Sequence, residues 1–181
     1  MRRAANAGFT LIELLIVVAV IGIIAAIAIP GLLRARMAGN ESSAIASLRV
    51  VNSSQHAYSS SCGNGFYAST LPILGEPAPV GSGFISPDLS AAVSVTKSGY
   101  RIELHQGTEA LSAVLDGCNP SGTAPNLFSS YYASNSPLIG GQTGSRWFWT
   151  NTPGTLYQSG ANDFVGETNG SARPAVGQAL Q

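Results

Sequence analysis

The sequence predicts an α+β protein in which one long N-terminal α-helix, its hydrophobic half protruding, packs on a C-terminal antiparallel sheet of about four strands. Three observations predict it. Residues 14–33 run for twenty positions without a charge, between Glu13 and Arg34. Helical spacing of apolar residues continues beyond that run, through Leu33, Met37, Ala44, Leu48, Val51 and Tyr58. Past residue 99, short stretches alternate apolar and polar positions between turn residues.

The apolar run is long enough, at about 1.5 Å per residue, to cross a hydrocarbon core of about 30 Å. Pro30 cannot donate a helical hydrogen bond and should kink the helix, with Gly22 a second weak point. Beyond it, Ser43, Ser47 and Ser54 occupy faces other than the apolar one, and the helix should fade in the serine run and stop by Gly63. A helix over residues 9 to 60 would be roughly 75 Å long. No small domain is that wide, so its first half must bury itself in lipid or in other copies.

Residues 64–98 are rich in Gly, Pro and Ser and read as loop, with one helical turn at "SPDLSAA", Ser86 capping and Pro87 in first position. "GYRIELHQG" sets Tyr100, Ile102 and Leu104 against Arg101, Glu103 and His105, a half-buried strand. Residues 127–134 and 145–152 are further strands. In "TPGT", Pro153 and Gly154 sit as the centre of a type II turn, so "GTLYQSG" should return as a hairpin partner. Residues 108–126 form an insertion, and residues 161–181 have too little hydrophobic content to predict order. Strand alternation sends Trp147 and Trp149 to one face, read as a core against the helix.

Formal net charge is zero over 181 residues, but Arg2, Arg3, Arg34 and Arg36 all flank the apolar run. From residue 38 onward five basic residues face eight acidic ones, so the body is acidic and offers no basic patch for nucleic acid. The two cysteines, Cys62 and Cys118, both lie beyond the run and suit one disulfide in an oxidising compartment.

The N-terminus admits three readings. A conventional signal peptide would use Ala26-Ile27-Ala28 as its exit, and a plain bitopic anchor needs only hydrophobic length. Neither gives Glu13 a role, and an acid at the edge of lipid is costly unless paired. The third reading comes from resemblance. "GFTLIELLIVVAVIGIIAAIAIP", residues 8–30, resembles the class III signal of type IV pilins and pseudopilins: a short basic leader ending in glycine, Phe-Thr-Leu-Ile-Glu, then an apolar helix broken by proline.

The resemblance implies cleavage after Gly8 by a prepilin peptidase, N-methylphenylalanine at Phe9, and Glu13 pairing with the N-terminal amine of a neighbouring subunit. It implies the type IV pilin fold and these segments: leader 1–8, transmembrane and assembly helix 9–33, amphipathic helix half 34–62, and a region 63–181 of loop, sheet and tail. "KSGYRIEL" and "GSRWFWTNTPGTLYQ" are similar, more weakly, to the sheet region of short bacterial pilin-like proteins.

Other chemistry is sparse. His56 and His105 stand alone and read as surface histidines, and no catalytic or nucleotide-binding signature is present. Major pseudopilins of type II secretion bind calcium near the C-terminus, which makes Asp163 and Glu167 calcium candidates by resemblance. The EF-hand pattern is absent, and hard-ion sites usually gather more oxygens. The expectation is a non-enzymatic pilus subunit without a cofactor, whose partners are its own copies, the peptidase, an inner-membrane assembly platform and the membrane. It would sit in the inner membrane, body outside, before joining an extracellular pilus. A periplasmic type II secretion pseudopilin is the alternative. A minor or DNA-uptake pilin and a membrane-anchored enzyme rank below it.

Overall fold

The computed structural model of the chain describes residues 8–161, 164 and 166–180. Helix α1 (Leu11–Ser61) is 51 residues long, with Pro30 inside it. It runs through two compact units, Met1–Arg36 and Met37–Gln181. In the first unit every residue from 11 to 36 except Ala25 is exposed, and the surface is apolar all round. Such a helix finds its burial only outside its own chain.

In the second unit the same helix becomes amphipathic. Glu41, Ala44, Leu48, Val51, Gln55 and Tyr58 are all buried, and they advance by threes and fours along one stripe. The stripe is wider than the sequence pattern indicated. Ser47 and Ser54, expected on other faces, are buried as well. Each hydroxyl is satisfied, Ser47 donating to the Ser43 carbonyl at 2.9 Å and Ser54 to the Phe84 carbonyl at 2.8 Å. Small hydroxyls that find an acceptor, in the previous turn for Ser47 and across the loop for Ser54, are cheap to bury, which a hydrophobicity pattern does not register. The helix ends at Ser61, and at Gly63 a Cβ would collide with the Phe66 carbonyl, 2.2 Å away.

The chain then makes β1 (Tyr67–Ala68), α2 (Leu71–Gly75) and α3 (Pro87–Ser90). The sheet follows: β2 (Ser94–Lys97), β3 (Tyr100–Gln106), β4 (Leu127–Phe128), β5 (Tyr131–Pro137), β6 (Trp147–Asn151), β7 (Leu156–Ser159) and β8 (Gln178–Ala179). The main sheet runs β2-β3-β5-β6-β7-β8, antiparallel throughout, and β1 pairs with β4 as a small second sheet. Of the strands expected from sequence, residues 127–134 divide into β4, in the small sheet, and β5, which forms the centre of the main sheet with β3, β6 and β7; β2 and β8 are added at the edges.

Strand β2 lies inside the segment read as loop. It returns into β3 through Ser98 and Gly99, whose φ angles of 48° and 72° are what a two-residue hairpin with right-handed strand twist needs. The β6–β7 turn differs in detail from the type II expectation. Its bond runs from the Gly154 N–H to the Asn151 carbonyl at 2.7 Å, so Thr152 and Pro153 are central and Gly154 follows at φ 80°.

Alternation along β6 splits its aromatics between two cores. Phe148 joins Leu48, Val51, Tyr100, Ile102 and Leu104 in the main core. Trp147 and Trp149 face the other way, where Trp149 packs with Tyr157 and Phe164. The expectation of both tryptophans against the helix is therefore corrected: one residue of register decides which face is buried by what. The tail is also corrected. Beyond Phe164, Thr108 donates to the Thr168 carbonyl, Thr152 to the Gly170 carbonyl and Leu180 to the Leu156 carbonyl, at 3.0, 2.9 and 2.8 Å. Backbone pairing fixes these residues where apolar content is low.

Candidate functional site

The first described residues are Gly8, Phe9 and Thr10, outside the helix, and Phe9 is exposed. No atom beyond its neighbours comes within 4 Å of where a Gly8 side chain would be. Residues 1–7 of the leader lie outside the described residues.

Thr10 is the N-cap of α1 and Glu13 its third helical residue. The Glu13 carboxylate accepts the Thr10 backbone N–H at 2.9 Å and the Thr10 hydroxyl at 2.5 Å, both at Oε2. The Thr10 hydroxyl in turn accepts the Glu13 N–H at 3.3 Å. This reciprocal capping box satisfies donors that the first turn would leave open. Sequence reading missed it, although Thr-x-x-Glu before an apolar run is its signature. Glu13 Oε1 has no partner among the described residues.

The second unit grips its part of α1 through polar contacts set into the apolar stripe. Glu41 pairs with the Arg146 guanidinium at 2.7 Å and accepts the Ser145 N–H at 2.8 Å. Burial pushes its carboxyl up, but Ser145 and Arg146 outweigh that and hold it below the ordinary carboxylate range. Asn52 donates to the Thr150 hydroxyl at 2.9 Å and accepts from the Tyr131 hydroxyl at 3.1 Å. Gln55 closes a two-bond bracket on Ala68, at 2.7 and 3.0 Å. Asn135, from the sheet, donates to the Ala44 carbonyl at 2.7 Å. These contacts fix axial register, which apolar packing alone leaves loose.

Cys62 and Cys118 form a disulfide with Cα atoms 4.8 Å apart, joining the end of α1 to the inter-strand insertion. Asn119 reinforces the junction, accepting from Tyr58 at 2.9 Å and donating to the Ile73 carbonyl at 2.6 Å. Burial pushes the Tyr58 hydroxyl up to about 12, so it stays a donor at any physiological pH.

His56 is exposed, and His105 meets Glu103, at 3.8 Å, and the Tyr132 ring. Of the two calcium candidates, Asp163 lies outside the described residues. Glu167 turns its carboxylate to the Ala175 N–H at 3.1 Å. Among the described residues no group of three or more metal-ligating side chains gathers.

Residues 3–29 match the family of the prokaryotic N-terminal methylation motif. The chain is similar to the type IV major pilin protein PilA of Myxococcus xanthus (strain DK1622), 47% identical over 53 residues. That alignment takes in 29% of this chain and 24% of the pilin, so the chain spans about a quarter of the relative's length. No solved structure matches the chain significantly. The N-terminal segment thus carries the prokaryotic N-terminal methylation motif on an exposed apolar helix, and over the aligned 53 residues the chain is similar to a type IV major pilin.

Proposed function

We propose that the chain is a structural, non-enzymatic subunit of a type IV pilus that polymerises through residues 9–33. The observation that carries this is the bare apolar helix. Leu11 and Ile27 are 81% and 77% exposed, and fourteen further large apolar side chains from Phe9 to Leu33 are exposed as well. Surface of that extent on one chain implies membrane, then copies of itself. By length and composition the helix is able to cross a bilayer.

On this reading the peptidase removes residues 1–8 and methylates Phe9. The new α-amine of one copy then meets Glu13 of another, at the Oε1 that the capping box leaves open. The pair pins one axial register among many that greasy helices allow. Pro30 and Gly22 supply local give where the ladder lacks a donor or a side chain.

Two measurements test the proposal. Intact mass should show a mature chain starting at Phe9 with one added methyl group; a start near Pro30 would overturn the processing. Electron microscopy of the producing cells should show surface filaments containing this chain. Confinement to short periplasmic assemblies would make it a secretion pseudopilin instead.

A further inference from the structure

The sheet face turned away from α1 carries a cavity of about 270 Å³ that the assembly reading does not use. Its floor is β5, where Ser134 and Ser136 alternate with core residues and are half-buried. Cross-strand register sets Glu103 of β3 on one side of Ser134 and Trp149 of β6 on the other. Trp147 forms the aromatic wall beside them, and Phe164 and Glu167 border the cavity.

What these groups already contact decides what the cavity suits. Tyr132 is flanked by His105 and Trp149, at ring distances of 5.3 and 6.3 Å, and Trp149 also by Phe164 at 6.2 Å. Those aromatic faces are occupied by one another. An organic cation needs several open faces, so a cation cage is disfavoured. Trp147 is half-buried and makes no ring–ring contact among the described residues. Among the described residues the Ser134 and Ser136 hydroxyls carry no hydrogen bond, and Glu103 faces His105, at 3.8 Å. Burial pushes the Tyr132 hydroxyl up, and Glu103 lies close enough to add to that. Among the described residues no lysine or arginine lines the cavity, whereas Glu103 and Glu167 both do, so an anion is repelled.

One half-buried indole, packed against the Trp149 cluster but engaged with no ring among the described residues, beside two unspent hydroxyls and a carboxylate suits a neutral polyol with an apolar face. A pyranose ring is such a molecule: its C–H face lies on an aromatic plane while its hydroxyls meet acceptors at the edge. The volume falls below the 300–1,000 Å³ or so of sites for drug-sized ligands, which suits one ring rather than an oligomer. We propose that this trough binds a single neutral pyranose residue of a glycan, stacked on Trp147 and hydrogen-bonded by Ser134, Ser136 and Glu103. The site is independent of whether the chain builds a pilus or a secretion piston.

The test uses the full chain in a polyoxyethylene detergent, since glycoside detergents would compete. The methyl pyranosides of glucose, galactose and mannose are titrated, with binding followed by saturation-transfer NMR and calorimetry. At least one should bind saturably, and the corresponding methyl uronide should bind more weakly. Trp147→Ala should weaken binding about tenfold or more, with Trp147→Phe retaining most of it. Ser134→Leu fills the floor from the outer face and should abolish binding while the thermal transition persists, which covers the case of an unstable Trp147→Ala. Failure of all three pyranosides to saturate, preference for the uronide or for choline, or unchanged binding in both Trp147→Ala and Ser134→Leu would overturn the proposal.

Discussion

Glu13 caps the helix that carries it, so replacing it has two separable consequences. Losing the box loosens the first turn, a local effect. On the proposed assembly, losing the carboxylate would also leave a neighbour's α-amine unpaired in the bundle, which outweighs the loss of the cap. Glu13→Ala should therefore leave leader cleavage and the outer body intact, let processed subunit accumulate in the membrane, and abolish filaments. Thr10→Val removes the hydroxyl half of the cap and keeps the carboxylate, so filaments should form. Normal filament numbers from Glu13→Ala, counted by electron microscopy, would show that the acid only caps. Glu41 offers the contrast within the body, because its partners are already in place. Its folded pKa lies below the ordinary value of 4.5, so its stabilising contribution is present above that value and is lost as pH falls through the folded one. Glu41→Gln should cost about 1–3 kcal/mol at neutral pH. It should also flatten the loss of stability in mild acid, and urea titrations across that range would detect an unaltered slope.

The elements most legible in the sequence are those whose periodicity comes from burial on one face. Tyr100, Ile102 and Leu104 alternate because β3 is central, and Ala44, Leu48, Val51 and Tyr58 recur because one stripe of α1 is covered. Strand β8 is two residues held by backbone pairing, with both side chains exposed, so no pattern marks it. The outer trough was illegible for another reason: Glu103, Ser134 and Trp147 come from three strands, and only cross-strand register makes them neighbours. Gly8, Phe9 and Glu13, by contrast, form a contiguous motif. The disulfide sits between these extremes, since two cysteines leave one pairing but do not say what it holds. It holds the junction of α1 with the insertion, which Asn119 also bridges. Cys62→Ser or Cys118→Ser should consequently keep the native fold and lose stability. The chain-entropy account of a closure across 56 residues puts that loss at roughly 4 kcal/mol. Denaturant curves with and without reductant should differ by that much for the parent chain and coincide for either variant. Coincident curves for the parent would mean that Asn119 and its partners already carry the junction.

At the scale of the whole molecule, one helix serves two media, and the change of partner falls where the two units divide. All the buried core residues lie at or beyond Glu41, whereas the residues of α1 before Met37 are exposed or nearly so. The polar grips at Glu41, Asn52 and Gln55 likewise belong to the second unit alone. Removing residues 1–36 should thus uncover no core and cut no tertiary hydrogen bond of the body. What it removes is the apolar surface that demands lipid or other copies. The fragment 37–181 should be soluble without detergent and monomeric by light scattering. It should keep the Cys62–Cys118 bridge and unfold in one cooperative transition within a few degrees of the full chain, because a helix start far from the buried stripe frays at little cost. A fragment that aggregates, or melts well below the full chain, would mean that the apolar half supports the body as well as assembly. The logic of a detachable polymerisation helix on a self-sufficient domain would then fail.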